Sequence, residues 1–203
     1  MTNKFYEILD YYIPNPRCEL EYTKDYELLL ATILSAQCTD KRVNEVTKSL
    51  FKYNLEEISL MDFSKLETII KSCGSYTKKA IYIRNVAEIL VKDYGGVVPN
   101  SRAILETFPG VGPKTASVVL KNIYNVPAIP VDTHVERVSK RLNIAKESDS
   151  PKEIEETLKK VIPMDKWNRV SEQILLFGRY YCTAKNPKCA NCLFKDVCIY
   201  EKD

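Results

Sequence analysis

Phe108-Pro109-Gly110-Val111-Gly112-Pro113-Lys114-Thr115-Ala116 reads as a tight turn between two helices, one over 100–108 and one over 113–124. Gly110 and Gly112 allow positive φ and let backbone approach a ligand with no Cβ in the way. Pro113 suits the first helical position, where a missing N–H costs nothing. The N–H groups at that helix start then face outward and suit a phosphate oxygen. A plain αα-turn would also use Pro-Gly, but the second glycine and the Lys-Thr that follows favour phosphate binding.

Lys114 falls in the first turn of the second helix. The positive end of the helix macrodipole disfavours a cation there and favours the neutral amine, the form a nucleophile needs. A solvated lysine or a simple phosphate contact is the plainer reading. Asp132 supplies a carboxylate to work with the amine. The helix over 113–124 is about 18 Å long. The connector from Asn125 to Val131, stiffened by Pro127 and Pro130, reaches about 23 Å. It is long enough to run back and bring Asp132 near Lys114. Asp132 also fits as the N-cap of a helix through Thr133-His134-Val135. His134, the one histidine, reads as structural.

Helical periodicity continues on both sides. Ala80, Ile83, Ala87, Leu90 and Tyr94 recur at spacings of three and four and form one apolar stripe. A more deeply buried helix runs through Leu28 and Ile33 to about residue 36. Further helices are expected at 41–52, 64–72, 132–142, 151–161 and 165–181. Ser150-Pro151-Lys152-Glu153 is a capping box with proline at the first helical position. Asn100 is the expected cap of the 100–108 helix, and Gly95-Gly96 the stop of the helix before it. No strand pair is legible, so the fold class is all-α. Two lobes are expected, residues 17–126 and residues 1–16 with 127–203.

Of the 203 residues, 45% are hydrophobic and 28% charged, the balance of a soluble protein with a proper core. A net charge of +3, from 30 Lys and Arg against 27 Asp and Glu, is too small to name a partner, so any nucleic-acid site is a local patch. Met1-Thr2-Asn3-Lys4-Phe5-Tyr6-Glu7 has no apolar h-region, and no apolar run is long enough to span a bilayer. A cytosolic protein with no membrane partner is expected.

The seven cysteines are an odd number, and Cys182, Cys189, Cys192 and Cys198 crowd into the last 22 residues as C-x6-C-x2-C-x5-C. In a cytosolic chain these four read as metal ligands, and Cys18, Cys38 and Cys73 as small buried apolar residues. Four thiolates suit either zinc or an iron–sulfur cluster, although zinc ribbons usually pair two C-x2-C knuckles and this tail has one. Lys185 and Lys188 lie in the loop between the first two ligands, where they either meet phosphates or stay solvated.

Leu34-Ser35-Ala36-Gln37-Cys38-Thr39-Asp40, the hairpin with Lys114, Val131-Asp132-Thr133-His134 and the cysteine tail stand in the order and spacing that resemble the endonuclease III family of DNA glycosylases, over about residues 20–200. The resemblance implies two helical lobes with a helix–hairpin–helix motif and a [4Fe–4S] cluster on Cys182, Cys189, Cys192 and Cys198. It implies a bifunctional DNA glycosylase and AP lyase of base excision repair that flips an oxidised pyrimidine out of double-stranded DNA. Lys114 would attack the sugar C1′, Asp132 would assist, and β-elimination would nick the strand 3′ to the abasic site. Gln37 would fill the gap left by the flipped nucleotide, and Gly110 and Gly112 would meet the backbone. A monomer is expected, in the cytoplasm and on the nucleoid in a prokaryote.

In one place the chain departs from that pattern. The family places a bulky apolar wedge in a Gly-x-Tyr/Trp turn, whereas Gly74-Ser75-Tyr76 has serine; Tyr76 is the candidate replacement. Mismatch-specific adenine glycosylases share the hairpin and the cluster, but they lack a lysine at 114 and carry a glutamate where this chain has Ala31. A non-catalytic DNA-binding hairpin with a structural metal would not need Lys114 and Asp132.

Overall fold

Regular structure in the computed structural model, which describes residues 1–200, is helical. The helices are α1 (Asn3–Tyr12), α2 (Asp25–Ser35), α3 (Asp40–Leu50), α4 (Leu55–Leu60), α5 (Phe63–Ile70), α6 (Tyr76–Tyr94), α7 (Arg102–Leu105), α8 (Pro113–Tyr124), α9 (Thr133–Arg141), α10 (Pro151–Val161) and α11 (Trp167–Tyr180). A short 3-10 turn, Met164–Lys166, leads into α11. No strand occurs among the described residues, and none of the helices is long and apolar enough to cross a membrane. The fold is all-α.

The chain divides into two compact units, Cys18–Tyr124 and Met1–Arg17 with Asn125–Asp203. Within Cys18–Tyr124, α2 is the central element: Leu28, Leu29, Leu30, Ala31, Ile33 and Leu34 are all buried. Apolar residues on every side of a helix require neighbours all round, and α3, α6 and α8 supply them. At about 1.5–3 kcal/mol for each large apolar side chain buried, this helix contributes much of the unit's cohesion. Its start is held by Glu27, whose carboxylate accepts from Thr23 N at 2.7 Å and Lys24 N at 3.1 Å. Helix α6 buries Ala80, Ile83, Val86, Ala87 and Leu90 against α2, α4 and α5. It stops at Gly95, whose φ of 58° is left-handed.

Two helices here differ from the sequence reading. The expected 100–108 helix is only Arg102–Leu105, after which single-turn bonds from Thr107 N to Ile104 O and Phe108 N to Leu105 O carry the chain into the hairpin. Its cap is Ser101, which accepts from Ile104 N, rather than Asn100. Helix α4 was not anticipated, although Asn54 and Glu57 form a reciprocal capping box at 2.8 Å each way.

In the other unit, α11 packs on α1 and α9, and α10 packs on α9. Helix α1, also not anticipated, buries Ile8 and Leu9. It is tied to α11 by Asp10, which accepts from Gln173 Nε2 at 2.7 Å and pairs with Arg169 at 2.7 Å. Gln173 also donates to Ile13 O at 3.0 Å. The cysteine tail joins this core through buried Phe194, whose ring lies 5.3 Å from Phe177 and 5.4 Å from Phe5.

Candidate functional site

The hairpin places its two glycines in different situations. Gly110 has φ of 78°, and a Cβ there would collide with the Tyr82 ring, 2.9 Å from Cγ. Both the backbone angle and the packing of α6 therefore require glycine. Gly112 does not use the positive φ open to it; a Cβ on it would meet nothing within 4 Å. Its small size leaves an open face beside the start of α8. Val111, between them, is buried and pins the turn. Gly112, Pro113 and Lys114 are exposed, and Ala116 N to Gly112 O at 3.0 Å closes the first helical turn. Lys114 thus lies exposed in the first turn of α8.

Gln37 follows Ala36, the C-cap of α2. It is exposed, with φ of 55°, a left-handed conformation that costs a non-glycine residue about 1–2 kcal/mol. Ser75, at the start of α6, is left-handed as well, with φ of 57° and no capping bond from its side chain. The two turns touch: a Cβ on Gly74 would lie 3.6 Å from Gln37 O. Beneath them is Lys79, only 4% exposed, whose ammonium donates to Leu34 O at 2.9 Å and Ala36 O at 2.6 Å. Lys79 was missed in the sequence, although it falls on one helical stripe with Ile83, Val86 and Leu90, where a cation is out of place. Nearby, burial and then the Cys38 thiol push the Cys73 thiol up to about 11, which keeps it protonated and unreactive.

Asp132 belongs to the second unit, where it caps α9: Oδ1 accepts from His134 N and Val135 N, each at 2.9 Å. Burial, the largest cause, lowers the His134 pKa, and the Asp132 charge opposes it. His134 Nδ1 lies 3.1 Å from Arg137 Nη2. Arg137 donates onward from Nε to Cys182 O at 3.0 Å and from Nη2 to Gly178 O at 2.7 Å. One turn later, Arg141 Nη1 reaches Cys182 Sγ at 3.4 Å and Thr183 O at 2.8 Å. Helix α9 therefore carries Asp132 at its start and grips the cysteine loop from its middle and end. Neither arginine stood out in the sequence, because their acceptors lie more than forty residues away.

Cys182, Cys189, Cys192 and Cys198 line one cavity of about 110 Å³, walled by Tyr12, Phe177 and Tyr181. Among the described residues no three His, Cys, Asp or Glu side chains converge on a single ion. Four cysteine sulfurs lining one cavity supply the ligand number of an iron–sulfur cluster. The apolar walls and the donors of Arg141 suit an anionic, thiolate-ligated cluster. The loop is ordered by Thr183 Oγ1 donating to Lys185 O at 2.7 Å and Lys188 N donating to Tyr181 O at 3.0 Å. Lys185 and Lys188 are both exposed, and Lys188 Nζ sits 4.9 Å from the Tyr181 ring centroid.

Residues 30–164 match the HhH-GPD superfamily base excision DNA repair proteins, and residues 182–198 match the iron–sulfur binding domain of endonuclease III. Hairpin and loop thus define a helix–hairpin–helix repair protein with an iron–sulfur domain. Endonuclease III of Bacillus subtilis (strain 168) is 46% identical over 187 residues, 91% of this chain and 85% of that protein. Endonuclease III of Escherichia coli (strain K12) is 38% identical over 191 residues, 93% of this chain and 90% of that one. A solved structure of a trapped endonuclease III–DNA covalent intermediate superposes with a TM-score of 0.92 at 41% identity, covering 98% of this chain and 97% of that one. The chain belongs to the endonuclease III family of DNA glycosylase/AP lyases.

Proposed function

We propose that this chain binds double-stranded DNA containing damaged bases or abasic sites, removes oxidised pyrimidines, and nicks the strand 3′ to the resulting abasic site, with Lys114 as the nucleophile. The observation that carries the assignment is the exposed Lys114 at the start of α8, directly beyond a hairpin built to meet a phosphate backbone. As a neutral amine, Nζ attacks the sugar C1′. The C1′–N bond breaks, its electron pair leaves with the base, and the base takes up a proton. Ring opening gives an imine between Lys114 and C1′. Loss of a proton from C2′ then expels the 3′ phosphate, and water releases the lysine. Asp132 assists as a carboxylate, accepting a proton from the amine or stabilising positive charge on the sugar. Capping of α9 holds that carboxylate at a fixed place.

The remaining assignments follow the same logic. DNA contact is given to the 17–126 lobe through Gly110, the open face at Gly112, and Gln37, which enters the space left by the flipped nucleotide. The lobe of residues 1–16 and 127–203 carries Asp132 and the cluster, with Lys185 and Lys188 offered to phosphates from the cysteine loop. When bound, the cluster cross-links four points of the 182–198 segment. The protein acts as a monomer in the cytoplasm, on the nucleoid of a prokaryotic cell.

Duplexes each carrying one damaged base test this reading. Release of oxidised pyrimidines, with a 3′-terminal unsaturated aldehyde on the nicked strand, is expected. Excision confined to adenine opposite a mismatch, or nicking without that aldehyde, would contradict it.

A further inference from the structure

Lys79 is a buried cation that the chemistry above does not use. Lysine is almost never fully buried unless it is paired, and an unpaired ammonium in a protein interior is costly. Here the ammonium donates to Leu34 O at 2.9 Å and Ala36 O at 2.6 Å. Leu34 O belongs to the last turn of α2 and Ala36 O to its C-cap, where carbonyls lack intrahelical donors and the negative end of the macrodipole lies. A glycine in the left-handed region commonly ends a helix by satisfying such carbonyls. This helix ends differently: Ala36 turns out at φ −56°, ψ 114°, and the left-handed residue is Gln37. Two restraints act on the strained turn, with Lys79 below and the Gly74 turn against Gln37 O.

We infer that Lys79 is a positioning residue for lesion recognition. From α6 it caps α2 and so fixes the Gln37 backbone in the conformation that presents its side chain to the gap in the duplex. The inference rests on the proposed role of Gln37. It assigns Lys79 no contact with DNA and no part in the chemistry. Both anchored turns, at Gln37 and Ser75, stand on α6 or are tied to it, so one buried cation sets the geometry of the surface they share.

A double-mutant cycle tests it. Lys79→Met keeps the aliphatic stem and removes the charge. Binding of each variant is measured to a duplex with a tetrahydrofuran abasic-site analogue and to the same duplex undamaged. Discrimination between the two should fall about tenfold in Lys79→Met, the scale of losing hydrogen bonds from a charged group. Lys79→Arg, which keeps charged donors, should recover most of it. In a Gln37→Ala background Lys79→Met should cost nothing further, because both act through one side chain. If Lys79→Met fails to fold, Lys79→Gln is read in the same cycle with the same expectation. Equal losses in both backgrounds would overturn the inference and make Lys79 a general support of the fold. Unchanged discrimination in Lys79→Met beside a loss in Gln37→Ala would overturn it and leave the Gln37 role standing. No loss in Gln37→Ala would remove the Gln37 role itself.

Discussion

Arg141 donates to the sulfur of Cys182 at 3.4 Å, and with Arg137 it fastens the first cysteine of the cluster loop to the helix that Asp132 caps. Loop and carboxylate are thereby both bonded to one helix, α9.

Arg137→Ala should lower stability by about 2–3 kcal/mol, because it leaves Cys182 O and Gly178 O without their charged donor. Urea unfolding followed by circular dichroism checks the loss, and iron content per chain should fall alongside it. A variant of unchanged stability would mean that the loop is held by its cysteines alone.

Gly110→Ala and Gly112→Ala should behave oppositely. At Gly110 a side chain meets both a left-handed backbone and the Tyr82 ring, which together cost about 2–4 kcal/mol. At Gly112 there is open space, so stability should change by less than about 0.5 kcal/mol while affinity for duplex DNA falls. Thermal unfolding and a binding titration at one stated salt concentration separate the two effects.

Stability should decline in mild acid through His134. Its folded pKa is lowered from 6.5, chiefly by burial, so the native state holds the neutral ring while the unfolded chain takes up a proton. The penalty is absent above pH 6.5 and grows as pH falls through that value toward the lower folded pKa. Urea midpoints between pH 8 and pH 5 measure it, and His134→Asn should flatten the slope. A slope unaltered by the substitution would place the titration elsewhere.

Asp132→Asn separates the cap from the charge. Asparagine caps as well as aspartate, so unfolding should be nearly unchanged. Single-turnover base excision should fall at least about 100-fold, the lower range for a lost general base. Comparable excision by the variant would leave Asp132 with capping alone.

Much of this arrangement is legible locally. A stripe such as Ala80, Ile83 and Ala87, the Ser150 capping box, the Asp132 cap and the Pro-Gly-Val-Gly turn each depend on residues within a few positions. Helix α4 had its box at Asn54 and Glu57, yet six residues give too little periodicity to register. The two hairpin glycines show a different limit. A sequence offers freedom at both Gly110 and Gly112, and only packing against Tyr82 shows which of them uses positive φ. Lys79, Arg137 and Arg141 were hidden for a third reason: their acceptors are backbone carbonyls or sulfur forty or more residues away, and a carbonyl leaves no trace in residue identity.

Covalent trapping bears most directly on the central assignment. Wild-type protein incubated with abasic-site duplex and sodium borohydride should yield a stable protein–DNA adduct, with the modified peptide containing Lys114. Lys114→Gln, which retains the hairpin, should form neither adduct nor nick. An adduct of undiminished yield in that variant would contradict the account and move the nucleophile to another amine.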